Sequence, residues 1–517
     1  MDLSSALSIA TSGLEGTQYA FGVVSQNVSN ASTTGYVAEN ANLNATDTVG
    51  TGSGISIGLT TRNVNDALQN SLYTQNAQVA ALTVQDNSLS AITSLQGSMS
   101  ADSGSTGTLS DEVGNLSNAI TSLISTPTDS TARSTIVADA STLATSINTM
   151  ASAYQTQRQS AQDSIVDEVS SINTDLTTIG VISKQIMSLK VQGQSTADLE
   201  NQRAAAMSDL SSYISVSYTE TAKGDMLVKA ADGTQLPTYP KNSENTVLST
   251  YPSDGSSALQ ATSTWPLSTK DATLSATSSI TASSSSSYVP EITFVGSDTA
   301  LDSSKDLTSD LTGGSLGANI ALRDTVYPKM QAQLDSFAYT LAARFNSAGL
   351  ALFTDGSGAV PASSTTSSDP DGIVRFASSI QVSVSVSEDP SVLSPSGSTT
   401  LAQKFLAKAL NGTDPVAPST SLGVNGNIST GYSGSQTLAN LATALTSNQA
   451  TVASTATSAL ATATTVQTSL TTKVSNVSGV DVDNEMSKLV ALQNSYTANA
   501  KVITAVKAMF TALLDAV

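Results

Sequence analysis

The chain has 517 residues, with 21 Lys and Arg against 41 Asp and Glu, a formal net charge of −20, and no Cys or His. This excludes a Ser-His-Asp triad, a Cys-His pair, an ordinary zinc or haem site and any disulfide, and it argues against a phosphate backbone as the main partner. Roughly two-fifths of the positions are Ser, Thr, Asn or Gln and only 4% are aromatic, which suits a long exposed assembly better than a compact enzyme core. The start, Met1-Asp2-Leu3-Ser4-Ser5, lacks the basic region and apolar run of a secretory signal, and no stretch is apolar for the length of a membrane helix. The chain therefore reads as soluble, without membrane insertion, and as leaving the cytoplasm, if it does, without cleavage of a conventional leader.

In chain order, the first element predicted is a helix over residues 1–28. Leu3, Leu7, Ala10, Leu14, Thr17, Phe21, Val24 and Val28 alternate in steps of four and three, which is a heptad seam one narrow stripe wide. Ser25 to Tyr36 then breaks the period as a turn. A second helix begins near Asn65 and keeps the period through Leu68, Leu72, Val79, Leu82 and Leu89. Leu109 to Leu123 forms a third, stopped by Pro127. Asp129 is a candidate cap for a long stretch through Tyr154 that resumes to Leu189 after a break. Gly193 and Ser195 mark a turn before Leu199, Met207 and Leu210, so these segments read as an antiparallel bundle or a long coiled pair.

From Ile214 the period shifts to two, through Val216, Tyr218 and then Met226 to Val228, with an Asp232-Gly233 turn, as in a hairpin. Residues 241–315 are Ser/Thr-rich, with a candidate strand at Glu291–Val295 and a loop at Ser283–Ser287. A helix returns over about 318–348, and residues 350–432 are irregular except for a strand through Ile380, Val382, Val384 and Val386. Two helices, 436–474 and 482–517, finish the chain. The fold class expected is multidomain α+β, with N- and C-terminal helices in a coiled-coil or helical-bundle rod and β-rich domains inserted in the middle. Its divisions are an axial helix and linking motif (1–64), a rod (65–218), a β-rich insertion (219–317), a returning helix (318–349), a second irregular or β-rich insertion (350–435), the rest of the rod (436–475) and a C-terminal axial helix (476–517).

The last helix has the most regular seam: Leu489, Leu492, Tyr496, Asn499, Ile503, Val506, Phe510, Leu513 and Val517 are spaced three, four, three, four. Asp481, Asp483 and Glu485 suit the positive end of its dipole, and Asn499 in a seam slot can fix register. One row of apolar side chains is too little to offset the conformational entropy of so long a helix. Both terminal helices therefore need partners. They are expected to stay mobile in the monomer and to order when many copies pack side by side, the alternative being that they pair with each other inside one bundle. The seams Leu3, Leu7, Leu14, Phe21, Val24, Val28 and Leu489 to Leu513 are the candidate assembly interface.

The segment Ser25–Tyr36 (SQNVSNASTTGY) and the C-terminal Ser478–Leu514 carry a resemblance. Both are similar to shared motifs of the bacterial flagellar axial proteins, the rod, hook and hook-associated subunits. In the first motif the matching residues are Asn27, Asn30, Thr34, Gly35 and Tyr36. In the second they are the Tyr496–Ala500 core with Val502 and Ile503. Gly52 to Ile55, Arg62, Asp66 and Leu68 resemble the family's lead into its second helix. Ser478-Gly479-Val480, Asp198–Leu210 and Gly313–Gly317 resemble the hook-associated branch rather than the hook protein. The family's usual basic residue soon after Tyr36 is replaced here by Val37-Ala38-Glu39, and residues 219–315 and 350–432 match nothing in it.

The resemblance implies a structural subunit, secreted unfolded through the flagellar type III export channel and assembled at the hook–filament junction. Its partners would be further copies, the hook protein, the second junction protein and an export chaperone. The alternatives are a hook or distal-rod subunit and, from another class, a secreted adhesin using its Ser/Thr-rich insertions. Chemistry is not expected, and neither is a cofactor. Gly50-x-Gly52-x-Gly54 lacks the rest of a dinucleotide fingerprint. Asp481 to Glu485 echoes a calcium loop but has Met486 where glycine is required, and Asp369-Pro370-Asp371-Gly372 is turn chemistry.

Overall fold

A computed structural model describes residues 3–33, 35–48, 51–97, 107–238, 259–261, 292–294, 307–361, 373, 375–412, 416–422 and 428–515. Thr34, the Ser283–Ser287 loop, the Asp369–Gly372 turn and Val517 lie outside these residues.

Helix α1 spans Leu3–Asn30, so it continues through the Asn-rich residues expected to form a turn, and the chain turns only at Ala31. Strand β1 (Glu39–Asn40) pairs with β4 (Thr61–Arg62), and between them β2 (Leu43–Thr48) and β3 (Thr51–Ile57) form a hairpin. Gly52 and Gly54, from the glycine-rich run, lie in β3. Helix α2 (Asp66–Leu95) starts at Asn65, whose side chain accepts from the Leu68 N–H at 3.1 Å. Helix α3 (Leu109–Ser125) opens with a reciprocal capping box between Thr108 and Asp111, which satisfies two N–H groups that would otherwise lack partners.

Helix α4 (Ser130–Val191) is capped by Asp129 as expected and runs unbroken for 62 residues. At 1.5 Å per residue it is a rod about 93 Å long. Helix α5 (Ala197–Tyr213) follows, then the antiparallel sheet β5 (Val216–Glu220), β6 (Met226–Ala230) and β7 (Gln235–Leu236). The pair β8 (Leu259–Ala261) and β9 (Ile292–Phe294) contains the strand expected near 291–295.

Helix α6 (Gly314–Ala321), a π-helical turn (Leu322–Val326) and α7 (Tyr327–Ala348) form the returning helix. Gly313 and Gly314 both have positive φ, 70° and 62°, and a Cβ on either would overlap residues 213–215 at the end of α5. Only glycine permits this backbone and this approach together.

The alternating valines at 380–386 do not make the expected strand. Only β11 (Gln381–Val382) pairs, with β10 (Phe353–Thr354), and helix α8 (Val384–Glu388) begins directly after it. The Ser383 carbonyl accepts from the Val386 and Ser387 N–H groups, which turns the chain before a strand can lengthen. Helix α9 (Thr400–Lys404), a π-helical segment (Phe405–Leu410) and the bridge β12 (Ser421–Leu422) with β13 (Ile428–Ser429) complete this region. Among the described residues it is mainly short helical turns laid on the bundle, with two strand pairs of two residues each. Helices α10 (Leu438–Ser478) and α11 (Val482–Asp515) end the chain.

Two apolar cores lie along α4. The larger joins its first half to α3, α7, the start of α10 and the Phe353–Leu410 region, around Phe337, Phe345 and Phe405. The smaller joins its second half to α5, α6, the three-stranded sheet and Tyr73 of α2. In that second half Gly180 faces the backbone of Thr238, and an added Cβ would overlap the Thr238 carbonyl. Gly180→Ala is therefore expected to destabilise the protein, although alanine is the better helix former by about 1 kcal/mol. Overpacking against backbone costs about 1–3 kcal/mol, so urea unfolding should show a lower midpoint at unchanged slope.

Candidate assembly interface

Helices α1 and α11 pack on each other in antiparallel register. Gly13 faces Asn499, Thr17 and Phe21 lie beside Gln493 and Tyr496, and Asn27 reaches Glu485. The two termini thus pair with each other in the single subunit, the alternative to the mobile termini expected of it, and they do so as a pair standing beside the bundle. Asn499 meets a glycine at its seam position, so the polar side chain sits where the helices approach closely.

The seams are only partly covered. On α1, Val24 is buried, Leu3, Leu7, Leu14 and Val28 are half-buried, and Phe21 is 38% exposed. The buried surface of this helix is wider than one stripe because it has two partners. Ile9, Ser12 and Gly16 face the β2–β3 hairpin, where Ser12 accepts from the Ile55 N–H, while Gly13, Thr17 and Phe21 face α11. On α11, Val506 is buried, Leu489, Leu492, Asn499 and Ile503 are half-buried, and Tyr496, Phe510 and Leu513 are exposed, Leu513 by 61%. Val502, Met509 and Leu514, flanking the seam, are also exposed. A groove of about 320 Å³ opens between the helices at Phe21 and Tyr496. Seam reasoning missed these flanking residues, although Val502 and Met509 are themselves one heptad apart.

The pair is fastened to the bundle through one polar junction, and the Ser25–Tyr36 motif is at its centre. Asn27 is fully buried. Its Nδ2 donates to the Glu39 carbonyl (2.8 Å) and to Glu485 Oε2 (3.1 Å), and its Oδ1 accepts from the Glu39 N–H (2.9 Å) and the Tyr36 hydroxyl (3.1 Å). Asn201 of α5 does the same two residues earlier, taking the Val37 N–H (3.3 Å) and giving to the Val37 carbonyl (3.2 Å). Two side-chain amides, one from each side, thus act as strand partners for residues 37–39.

Arg62 donates to Glu200 and Asn201, and the Ala38 N–H bonds the Ser478 carbonyl at 2.8 Å, tying in the end of α10. Of the other motif residues, Asn30 donates to the Gln26 carbonyl and Gly35 turns at φ 78°. Asp481 caps α11 by accepting from the Asp483 and Asn484 N–H groups, which is the helix-start role expected of these acids. Asn201 carried no signal in the sequence beyond the similarity of Asp198–Leu210 to the family.

Glu39 stands where the family usually has a basic residue nearby, and it is 4% exposed. Burial pushes its carboxyl up to about 7, and the charge of Asp198 adds to the shift. Burial and the carboxylates of Glu39, Asp198 and Glu485 raise the Tyr36 phenol as well. Asn201→Ala would leave the Val37 amide group without its buried partners, at about 1–3 kcal/mol. The expected result is faster proteolytic cleavage in residues 31–38, with the bundle's unfolding midpoint little changed.

Among the described residues there is no cluster of three potential metal ligands and no helix long and apolar enough to cross a membrane. Comparison with known proteins gives the following. Residues 92–354 match the family model of the flagellar hook-associated protein FlgK helical domain. Residues 473–516 match the flagellar basal body rod FlgEFG protein C-terminal model, which takes in all of α11. No curated protein matches the chain. Among solved structures it is similar to the flagellar hook junction protein FlgK from Burkholderia pseudomallei, with 23% identity, a TM-score of 0.41, and coverage of 56% of this chain and 45% of that one. The chain thus spans under half the length of that protein. Because the helical-domain model alone takes in just over half of the 517 residues, the chain belongs to the FlgK family of flagellar hook-associated proteins.

Proposed function

We propose that the chain is a structural subunit of the bacterial flagellum at the hook–filament junction, and that the α1–α11 pair is the surface by which it assembles. The observation that carries this is the uncovered apolar row on the pair. Phe21, Tyr496, Val502, Met509, Phe510 and Leu513 remain between 36% and 61% exposed. Exposed large apolar side chains gathered on one helix pair call for a partner. Neighbouring copies and adjoining axial subunits, the hook protein on one side and the second junction protein on the other, bury the row and complete the ordering of the terminal helices. The bundle forms an outer layer, and the middle segments face solvent.

Delivery through the flagellar type III channel, with an export chaperone holding the chain before passage, agrees with a sequence that has no cysteine to cross-link prematurely. The deciding experiment deletes the gene in a flagellated strain. Hooks should remain while filament subunits are shed into the medium, and labelled protein should restore filaments and mark the hook's distal end. Loss of the hooks themselves, or filaments of normal length without the protein, overturns the assignment.

A further inference from the structure

We propose that a second copy of this chain docks on the β2–β3 hairpin: the side of α11 that carries Met486, Val490 and Lys501 in one copy covers Leu43, Ile57 and Asp47 of the next. The proposal rests on the reading of the terminal pair as the assembly surface and adds which part of a neighbour meets it. Both patches are apolar and uncovered. Leu43 and Ile57, cross-strand partners, are 38% and 47% exposed, and Leu59 beside them is 50% exposed. Met486 and Val490 are 46% and 53% exposed. Large apolar side chains gathered on a surface in this way mark a site of interaction.

One copy cannot bring its own two patches together. Asn499 meets Gly13 of α1, and Lys501, two residues or about 200° further round α11, faces away from that contact. Val490 precedes Lys501 by about three turns and lies on the same outer side. The hairpin covers the other flank of α1, at Ile9, Ser12 and Gly16. The two patches therefore stand on opposite sides of the pair, where they meet only between copies.

Charge and spacing fit one patch to the other. Asp47 is the single charge in residues 40–61, and Lys501 is the single charge in residues 489–506. Both are exposed, and among the described residues neither makes an ion pair. Along its strand Asp47 is about 13 Å from Leu43, and along its helix Lys501 is about 16 Å from Val490. The directions agree as well. Leu43 packs at Gly16, and Asp47 lies past Gly54, which packs at Ile9 and Ser12, so Asp47 to Leu43 follows α1 from its N- to its C-terminus. In the antiparallel α11, Lys501 to Val490 runs the same way. With Lys501 set on Asp47, a neighbour in the same orientation lays Val490 over Leu43 and Ile57. The contact joins two different surfaces, so it repeats head to tail and builds a ring or a helical layer.

The test is cross-linking of the concentrated, purified full chain, which has no native Cys to interfere. In Asp47→Cys/Lys501→Cys, a bis-maleimide long enough to span an ion-paired Asp and Lys should give a ladder of dimers, trimers and higher species on a denaturing gel. Equal amounts of the two single variants should give dimers and nothing larger, and either single variant alone should stay monomeric. Val490→Asp added to the double variant should cut the ladder by about tenfold or more, because a carboxylate would be buried without a partner, with circular dichroism unchanged. Monomer alone from the double variant, dimers from one single variant by itself, or a ladder indifferent to Val490→Asp overturns the contact. Where the protein sits on the cell does not enter this readout, so the assignment to the hook–filament junction stands or falls separately, by the gene deletion.

Discussion

Phe510→Asp is expected to abolish swimming while leaving the isolated subunit folded. In the monomer Phe510 is 36% exposed on α11, so a carboxylate there remains hydrated and costs the pair little. In the proposed assembly the same position would face neighbouring helices. A carboxylate taken out of water without a partner costs several kcal/mol, which must be met at every subunit contact around the structure. Far-ultraviolet circular dichroism of the purified variant should match the parent, and electron microscopy of the cells should show hooks without filaments. Lys507→Asp, on the same helix, exposed and outside the seam, serves as the matched control and should swim. Swimming by Phe510→Asp itself would contradict the role given to the seam.

Asn27→Ala is expected to cost more in the monomer than any seam substitution. It leaves the N–H and carbonyl of Glu39, the Tyr36 hydroxyl and one oxygen of Glu485 without the bonds described above. Each buried group left unsatisfied costs about 1–3 kcal/mol, so even with water reaching some of them the junction loses about 3 kcal/mol or more. The loss is local, because the two cores along α4 do not include Asn27. Thermal unfolding should split, with the terminal pair melting first and the bundle later, and exchange at residues 3–30 should rise well before that in α3. A single transition at the parent temperature would show that Asn27 does not hold the pair.

What could be read in advance follows from the range of the forces involved. Caps and periods are local, so Asn65, Asp129 and the heptads of α1 and α11 declared their helices directly. The strand expected through Val382, Val384 and Val386 failed for the opposite reason. Alternation describes any segment with apolar residues two apart, and the outcome was decided by the Ser383 carbonyl turning the chain and by β10 offering only two residues to pair with.

The buried surface of α1 was legible as a seam but not in its width, because the hairpin that covers the second face of α1 shows no apolar pattern pointing at that helix. The junction was least legible of all. Asn27 could be picked out only by its place in a family motif, and its partners Glu39, Asn201 and Glu485 lie on three other elements. No periodicity links an amide to a backbone segment it will clasp from across the molecule.

The antiparallel pairing of α1 with α11 also bears on the order of events at the ribosome. Asn27 and Glu485, which touch, are 458 residues apart in the sequence. While the chain is being made, the first helix has no mate, whereas α3 and α4 can find each other at once. Closing so large a loop is entropically costly and slow, and a solitary amphipathic helix is marginal in water. The leading end of each newly made molecule therefore stays loose until translation has delivered the other.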